Sequence, residues 1–253
     1  MSTELLFALW NSLPFKQQQR SQGCGAAVAQ ITYSLLWLLK NKREVIETLC
    51  DGGNTVVENT QEALFEILNV PSLDALFQAC EMPSQTEIDV FSANPMIQLL
   101  RMLATRWFSK DVYRAVVGTN EVGVSPRWLA QWMWHLLHTV WYRVNVHSRL
   151  SLDDVDVQLQ HWFPVPVLYM VDSRDNPYAV SSERETTWLH YGVLYHVDDE
   201  YVYLLNPFGT QDKIPVEEFV NRRSFSAEYC RSFYQKTLKT TGIIRPNTGL
   251  LIH

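Results

Sequence analysis

The stretch Gly23-Cys24-Gly25-Ala26-Ala27-Val28-Ala29-Gln30-Ile31-Thr32-Tyr33-Ser34-Leu35-Leu36-Trp37 decides how this chain is read. Its apolar residues continue to Leu39, and Lys40-Asn41-Lys42-Arg43 supplies a polar stop, so the pattern predicts a helix over 24–40. Glycines on both sides of Cys24 let the backbone turn sharply and leave room beside the sulfur. A thiol at a helix start meets free N–H groups and the positive end of the helix dipole, and both favour the thiolate. Cys24 is therefore a candidate nucleophile. The competing reading is a small residue that packs the start of a helix.

Beyond this helix the first half of the chain stays helical in texture. Asp51-Gly52-Gly53-Asn54 is a turn, and 60–68, 72–80 and 95–117 read as helices. Ser125-Pro126 starts another helix, expected to run to about Val146, with Trp128, Trp132, Leu136 and Val140 on one drifting face. After about residue 160 the texture changes. Val165–Val171, His190–His196 and Glu200–Leu205 read as strands, the last two joined by a hairpin turn at Val197-Asp198-Asp199. Asn206-Pro207-Phe208-Gly209 closes the hairpin, Ile214 to Asn221 is expected to open a helix, Ser226 to Thr237 reads as another, and strand-like residues end the chain. A helical first half followed by a strand-rich second half is an α+β pattern.

Acyl transfer to a thiolate needs a nucleophile, a base, a group that orients the base, and donors for the oxyanion. The hairpin brings the start of one strand beside the end of the next, which pairs His190 with Asn206. His190 is the candidate base, and the Asn206 amide oxygen can accept its ring N–H. Gln18, six residues before Cys24, can donate its amide to an oxyanion beside the Cys24 backbone N–H; Gln17, Gln19 and Gln22 compete for that role. Each has a plainer reading: a strand-end histidine on a carbonyl, an Asn-Pro turn, and a polar stretch.

Gln18-x5-Cys24-Gly-Ala-Ala before an apolar helix, then His190-Tyr-Gly-Val-Leu, then Leu205-Asn206-Pro-Phe-Gly, resembles the papain-like cysteine peptidase superfamily. The nearest type is the bacteriocin-processing one, with its Gln followed by Cys-Gly-x-Ala, its His-Tyr-x-Val, and its Asp/Asn-Pro after the next strand. The resemblance covers about 14–40 and 160–220. It implies a papain-like fold, in which a helical lobe carries Cys24 on its central helix and packs on a twisted antiparallel sheet carrying His190 and Asn206. The stretch 41–160 is longer and more helical than that family leads one to expect, and reads as an insertion or lid within a single domain. Asn206 stands where the bacteriocin-processing type usually has Asp, although papain itself uses Asn.

The resemblance implies a cysteine hydrolase that cleaves an amide bond of a protein or peptide through Cys24, His190, Asn206 and Gln18, with no metal or organic cofactor. The same machinery serves glutamine deamidation and transacylation, as in bacterial effectors with papain-like folds. The absence of a recognisable pro-segment leans toward that alternative. A third reading is a catalytically silent interaction module that docks through its Trp-rich helix at 128–142.

The rest of the composition narrows the field. A net charge of −6 and the lack of a basic run speak against nucleic acid and against a membrane-surface patch. The apolar run from Ala26 to Leu39 is too short for a membrane span. The N-terminus lacks the basic segment of a signal peptide. A cytoplasmic protein is expected, or one secreted without a classical signal. Cys24, Cys50, Cys80 and Cys230 lie far apart, with no CxxC pair for zinc and no dense disulfide framework. His135 and His138, with His147, are a loose metal possibility beside the plainer reading of a helix surface. The Asp153-Asp154-Val155-Asp156 cluster lacks the glycine and glutamate of a calcium loop and reads as a solvated helix cap. Alternation places His196 on the strand face of His190, roughly 20 Å away, as a structural residue.

Overall fold

The computed structural model describes residues 17–18, 23–41, 75, 78, 126–137, 142–172, 175, 177, 187–224 and 247–253. In chain order these form α1 (Cys24–Asn41), α2 (Pro126–Leu137), β1 (Val144–His147), α3 (Leu152–Gln160), β2 (Val165–Asp172), β3 (Thr187–Val197), β4 (Tyr201–Asn206), β5 (Thr210–Pro215), α4 (Val216–Arg223) and β6 (Gly249–Ile252). The strands make one six-stranded antiparallel sheet in the order β1-β6-β2-β3-β4-β5. Helices on an antiparallel sheet are the α+β class.

Strand alternation gives the sheet two buried faces. Leu168, Tyr191, Val193, Leu205 and Ile252 point to α1 and α2. Val167, Tyr169, Leu194, Val202 and Leu204 point to the side covered by α3 and α4, with Val155 and Phe219. The first turns of α1 are Ala26, Ala27, Val28 and Ala29, all fully buried, and such small side chains let the helix lie close to its neighbours. Helix α2 buries Leu129, Met133 and Leu137, a stripe at four-residue spacing, in the same core. Trp134 lies on its exposed side.

The local rules behind the second half are visible. Ser151 caps α3 in a capping box with Asp154, so the acidic cluster is a helix cap. Asp198 folds the β3–β4 turn by accepting from the Glu200 and Tyr201 N–H groups. The β4–β5 turn is Pro207-Phe208-Gly209, with Gly209 at φ +93°, where glycine is the natural residue.

Several expectations are corrected. The helix from 126 is described as far as Leu137, and it does not run to Val146: 144–147 is the edge strand β1, whose β-branched Val144 and Val146 pair with Ile252 and Leu250 of β6. Paired backbone bonds between Arg143 and His253 extend that contact. Strand β5 precedes the helix expected from Ile214, and α4 begins only after Pro215 ends the edge strand. A bulge between Leu194 and His196 shifts the β3–β4 register, so His196 pairs with Tyr203 and leaves the face of His190. Of the stretch 41–160 expected as an insertion or lid, α2, β1 and α3 join the sheet and its cover, and 42–125 apart from 75 and 78 lie outside the described residues. The helices expected at 60–68, 95–117 and 226–237, most of the one at 72–80, and Cys50, Cys80 and Cys230 lie outside the described residues. None of the described helices is long and apolar enough to cross a membrane.

Candidate functional site

The site forms where β3 loses one neighbour. The β3–β4 ladder runs from Val193↔Leu205 to Val197↔Val202, whereas β2 pairs with β3 along its whole length, Tyr169 opposite His190. From Gly192 back to Thr187, β3 therefore has no β4 partner. The turn after β4 occupies that space. Phe208 stacks on the His190 ring with centroids 4.1 Å apart and planes 24° apart, and Tyr169 meets the ring edge-on at 5.7 Å.

Across this gap His190 Nε2 lies 2.8 Å from Asn206 Oδ1. An amide oxygen only accepts, so Nε2 carries the proton and Nδ1 has the lone pair. The orientation of the Asn206 amide follows from its other neighbours. The Phe208 N–H, which can only donate, lies 2.9 Å from Oδ1, and Nδ2 donates to Asp212 Oδ2 at 2.6 Å. Asp212 Oδ1 in turn accepts from Thr210 Oγ1 at 2.6 Å. Burial pushes the His190 pKa down to about 4, against the Asn206 hydrogen bond and the Asp212 charge, which pull it up. At neutral pH the ring is an uncharged base.

Gln18 comes to the same turn. Its backbone N–H donates to the Pro207 carbonyl at 2.7 Å, and its side chain is 2% exposed. Gln17 is exposed, its side chain lying beside Gly209. Gln19 and Gln22 lie outside the described residues.

Cys24 is the first residue of α1, 7% exposed, on a helix packed against β3. Its charge reaches two phenols, Tyr191 and Tyr169. Tyr191 follows His190 in the chain and faces α1, while Tyr169 is on the His190 side of the sheet. Cys24 thus packs on the α1 face of the sheet and His190 on the opposite face.

The structure thus joins His190 to Asn206, ties the Gln18 backbone to the next residue, and sets Cys24 at the head of the helix over β3. Asp212 was not among the residues singled out from sequence. Its signal is the pairing Asn206↔Thr210 across a three-residue turn, which puts 206, 210 and 212 on one face. Among the described residues no group of three or more His, Cys, Asp or Glu could hold a metal ion. His147 is exposed on β1, and His138 lies outside the described residues. No protein-family model matches this chain, and neither does any curated protein or any solved structure.

Proposed function

We propose that this chain is a papain-like cysteine hydrolase that cleaves an amide bond of a protein or peptide, with Cys24 as nucleophile. The observation that carries the reading is the buried His190–Asn206 hydrogen bond at the end of β3 that β4 leaves unpaired, in a sheet whose other face packs on the helix that Cys24 opens. Neutral His190 takes the thiol proton at Nδ1 as the sulfur attacks the carbonyl carbon. Asn206 holds the ring by its Nε2–H and stabilises the imidazolium that forms. In this reading the Cys24 N–H and the Gln18 amide donate to the oxyanion. The imidazolium then protonates the leaving amine, the C–N bond breaks, and water resolves the acyl-enzyme with His190 again as base. A side-chain amide of a protein, or an amine acceptor in place of water, would use the same groups.

One observation favours a second reading. Cys24 and His190 are 7% and 3% exposed, which leaves little room for a substrate and suits a catalytically silent interaction module. The discriminating experiment is the rate of iodoacetamide alkylation at Cys24 against pH, in the wild type and in His190→Ala. A Cys24 that outpaces an ordinary thiol below pH 7, and loses that advantage without His190, supports the hydrolase. A Cys24 that reacts like a free thiol of pKa about 8.5, or fails to react in folded protein, supports the silent module.

A further inference from the structure

We propose that Asp212 is a positioning residue of this site, whose carboxylate locks the Asn206 amide with its oxygen toward His190 and places a negative charge on the far side of that amide, two hydrogen bonds from the ring. The role in turnover rests on the hydrolase reading; the geometry does not.

A primary amide is nearly symmetric in shape, so nothing in the size of Asn206 chooses between its two orientations. Its surroundings choose. With the oxygen toward His190, Asn206 accepts from the ring and from the Phe208 N–H and donates to Asp212. Flipped, the amide would turn its NH2 group toward the Phe208 N–H donor and its oxygen toward a carboxylate that can only accept. Both contacts would become repulsive, and the His190 contact would survive only with the ring proton moved to Nδ1. The Phe208 N–H and the Asp212 carboxylate therefore act together, and the carboxylate bond is the stronger because it is charge-assisted.

Asp212 is itself aimed. Thr210 holds its second oxygen, and the antiparallel register sets Asp212 opposite Leu204, diagonal to Asn206 on the same face. It is half-buried, so its charge is only partly screened. That charge reaches His190 and the phenols of Tyr169 and Tyr195. The ionisable group against the ring from β2 is Tyr169, which the charges of Arg222 on α4 and of Cys24 at the head of α1 reach in turn. When the ring takes the thiol proton, its new charge faces Asn206 Oδ1, whose dipole is aligned by the carboxylate behind it. No proton passes beyond Nε2.

The test is 15N-histidine NMR at pH 7 on the full chain, with alkylation of Cys24 followed in parallel, in wild type, Asp212→Ala and Asp212→Asn. The wild type is expected to show His190 as a single Nε2–H tautomer with a slowly exchanging ring proton. In Asp212→Ala that signature broadens or mixes while the far-UV circular dichroism is unchanged. Asp212→Asn, which keeps the shape and loses the charge, shows the same change to a smaller degree. A tautomer signature that stays wild-type in both variants overturns the proposal.

A swap supplies an independent reading. Asn206→Asp sets two carboxylates side by side and is expected to slow Cys24 alkylation about tenfold. Asn206→Asp with Asp212→Asn restores a donor–acceptor pair and is expected to recover most of the rate. A double variant no better than the single one counts against the pairing. If the NMR signature depends on Asp212 but wild-type Cys24 is inert, the positioning role stands and the hydrolase reading fails.

Discussion

Burial of a neutral histidine makes stability depend on pH in a direction that can be worked out. His190 titrates near 4 in the folded chain against an ordinary 6.5, because its ring is buried between Tyr169 and Phe208. As pH falls through 6.5 the unfolded chain binds the proton and the folded chain does not, so stability declines until about pH 4 and then levels off. The full loss is about 3 kcal/mol, of which about 2 kcal/mol falls between pH 7 and pH 5. The perturbation is His190→Gln, which keeps an N–H donor for Asn206 and removes the titration. Urea unfolding followed by circular dichroism at pH 7, 6 and 5 gives the comparison. The wild type should lose about 2 kcal/mol more than the variant between the ends of that range. His196 is also pushed down by burial and loses stability in the same window, but it is present in both proteins and cancels. Asp154 and Asp198 are held below 3.8 by their hydrogen bonds and begin to matter only at lower pH. Equal pH dependence in the two proteins would refute the reasoning, since it would mean that the ring is already solvated or charged in the folded state.

Three further outcomes are expected. Gly249→Ala should destabilise by about 1–3 kcal/mol, read as a fall in Tm, because the new Cβ would lie 2.6 Å from Leu150 Cδ2 and 3.3 Å from the Pro166 carbonyl oxygen. Leu129→Ala should cost about 2–5 kcal/mol in chemical denaturation, since that side chain is fully buried where α2 meets the α1 core. Gly209→Ala should cost about 1 kcal/mol through its φ of +93° and also slow Cys24 alkylation, because the turn it strains holds Asn206 and the Gln18 segment.

The readable parts of this chain were those specified by neighbours in sequence. Helix α1 follows from a long, mostly apolar run with a polar stop, and the His190–Asn206 pair follows from a hairpin whose turn is fixed by Asp198. The parts that escaped depend on distant partners. Val144–His147 continues a helical stretch in composition and becomes a strand because β6, a hundred residues on, offers it an edge. Strand β5 is polar along most of its length, as an edge strand with one outward face must be, and so lacks the apolar alternation that marks a buried strand. The bulge that turns His196 away from His190 leaves no mark in composition. Asp212 joined the site only once the three-residue turn fixed the register of β5 on β4.

That turn also bears on how a thiol and an imidazole carried on opposite sides of a sheet could meet. Alternation sends Tyr191 toward α1 and His190 away from it, so an unbroken sheet would keep Cys24 and His190 apart. Strand β4 does not continue alongside His190. Pro207 follows Asn206, and with no N–H it cannot extend the ladder. Its carbonyl, released from any strand partner, accepts the Gln18 N–H and brings the chain segment that leads into Cys24 to the gap. Phe208 then covers the ring, Gly209 reverses the chain, and Thr210 and Asp212 return behind Asn206. In the proposed hydrolase, residues 206–212 thus open the sheet for the nucleophile, anchor the oxyanion segment, shield the base and orient it. Lengthening β4 by one residue pair, with Pro207 replaced by a residue that can donate, should therefore suppress Cys24 reactivity while leaving stability intact or raising it. A stabilised variant with undiminished reactivity would show that Cys24 reaches His190 by some other route.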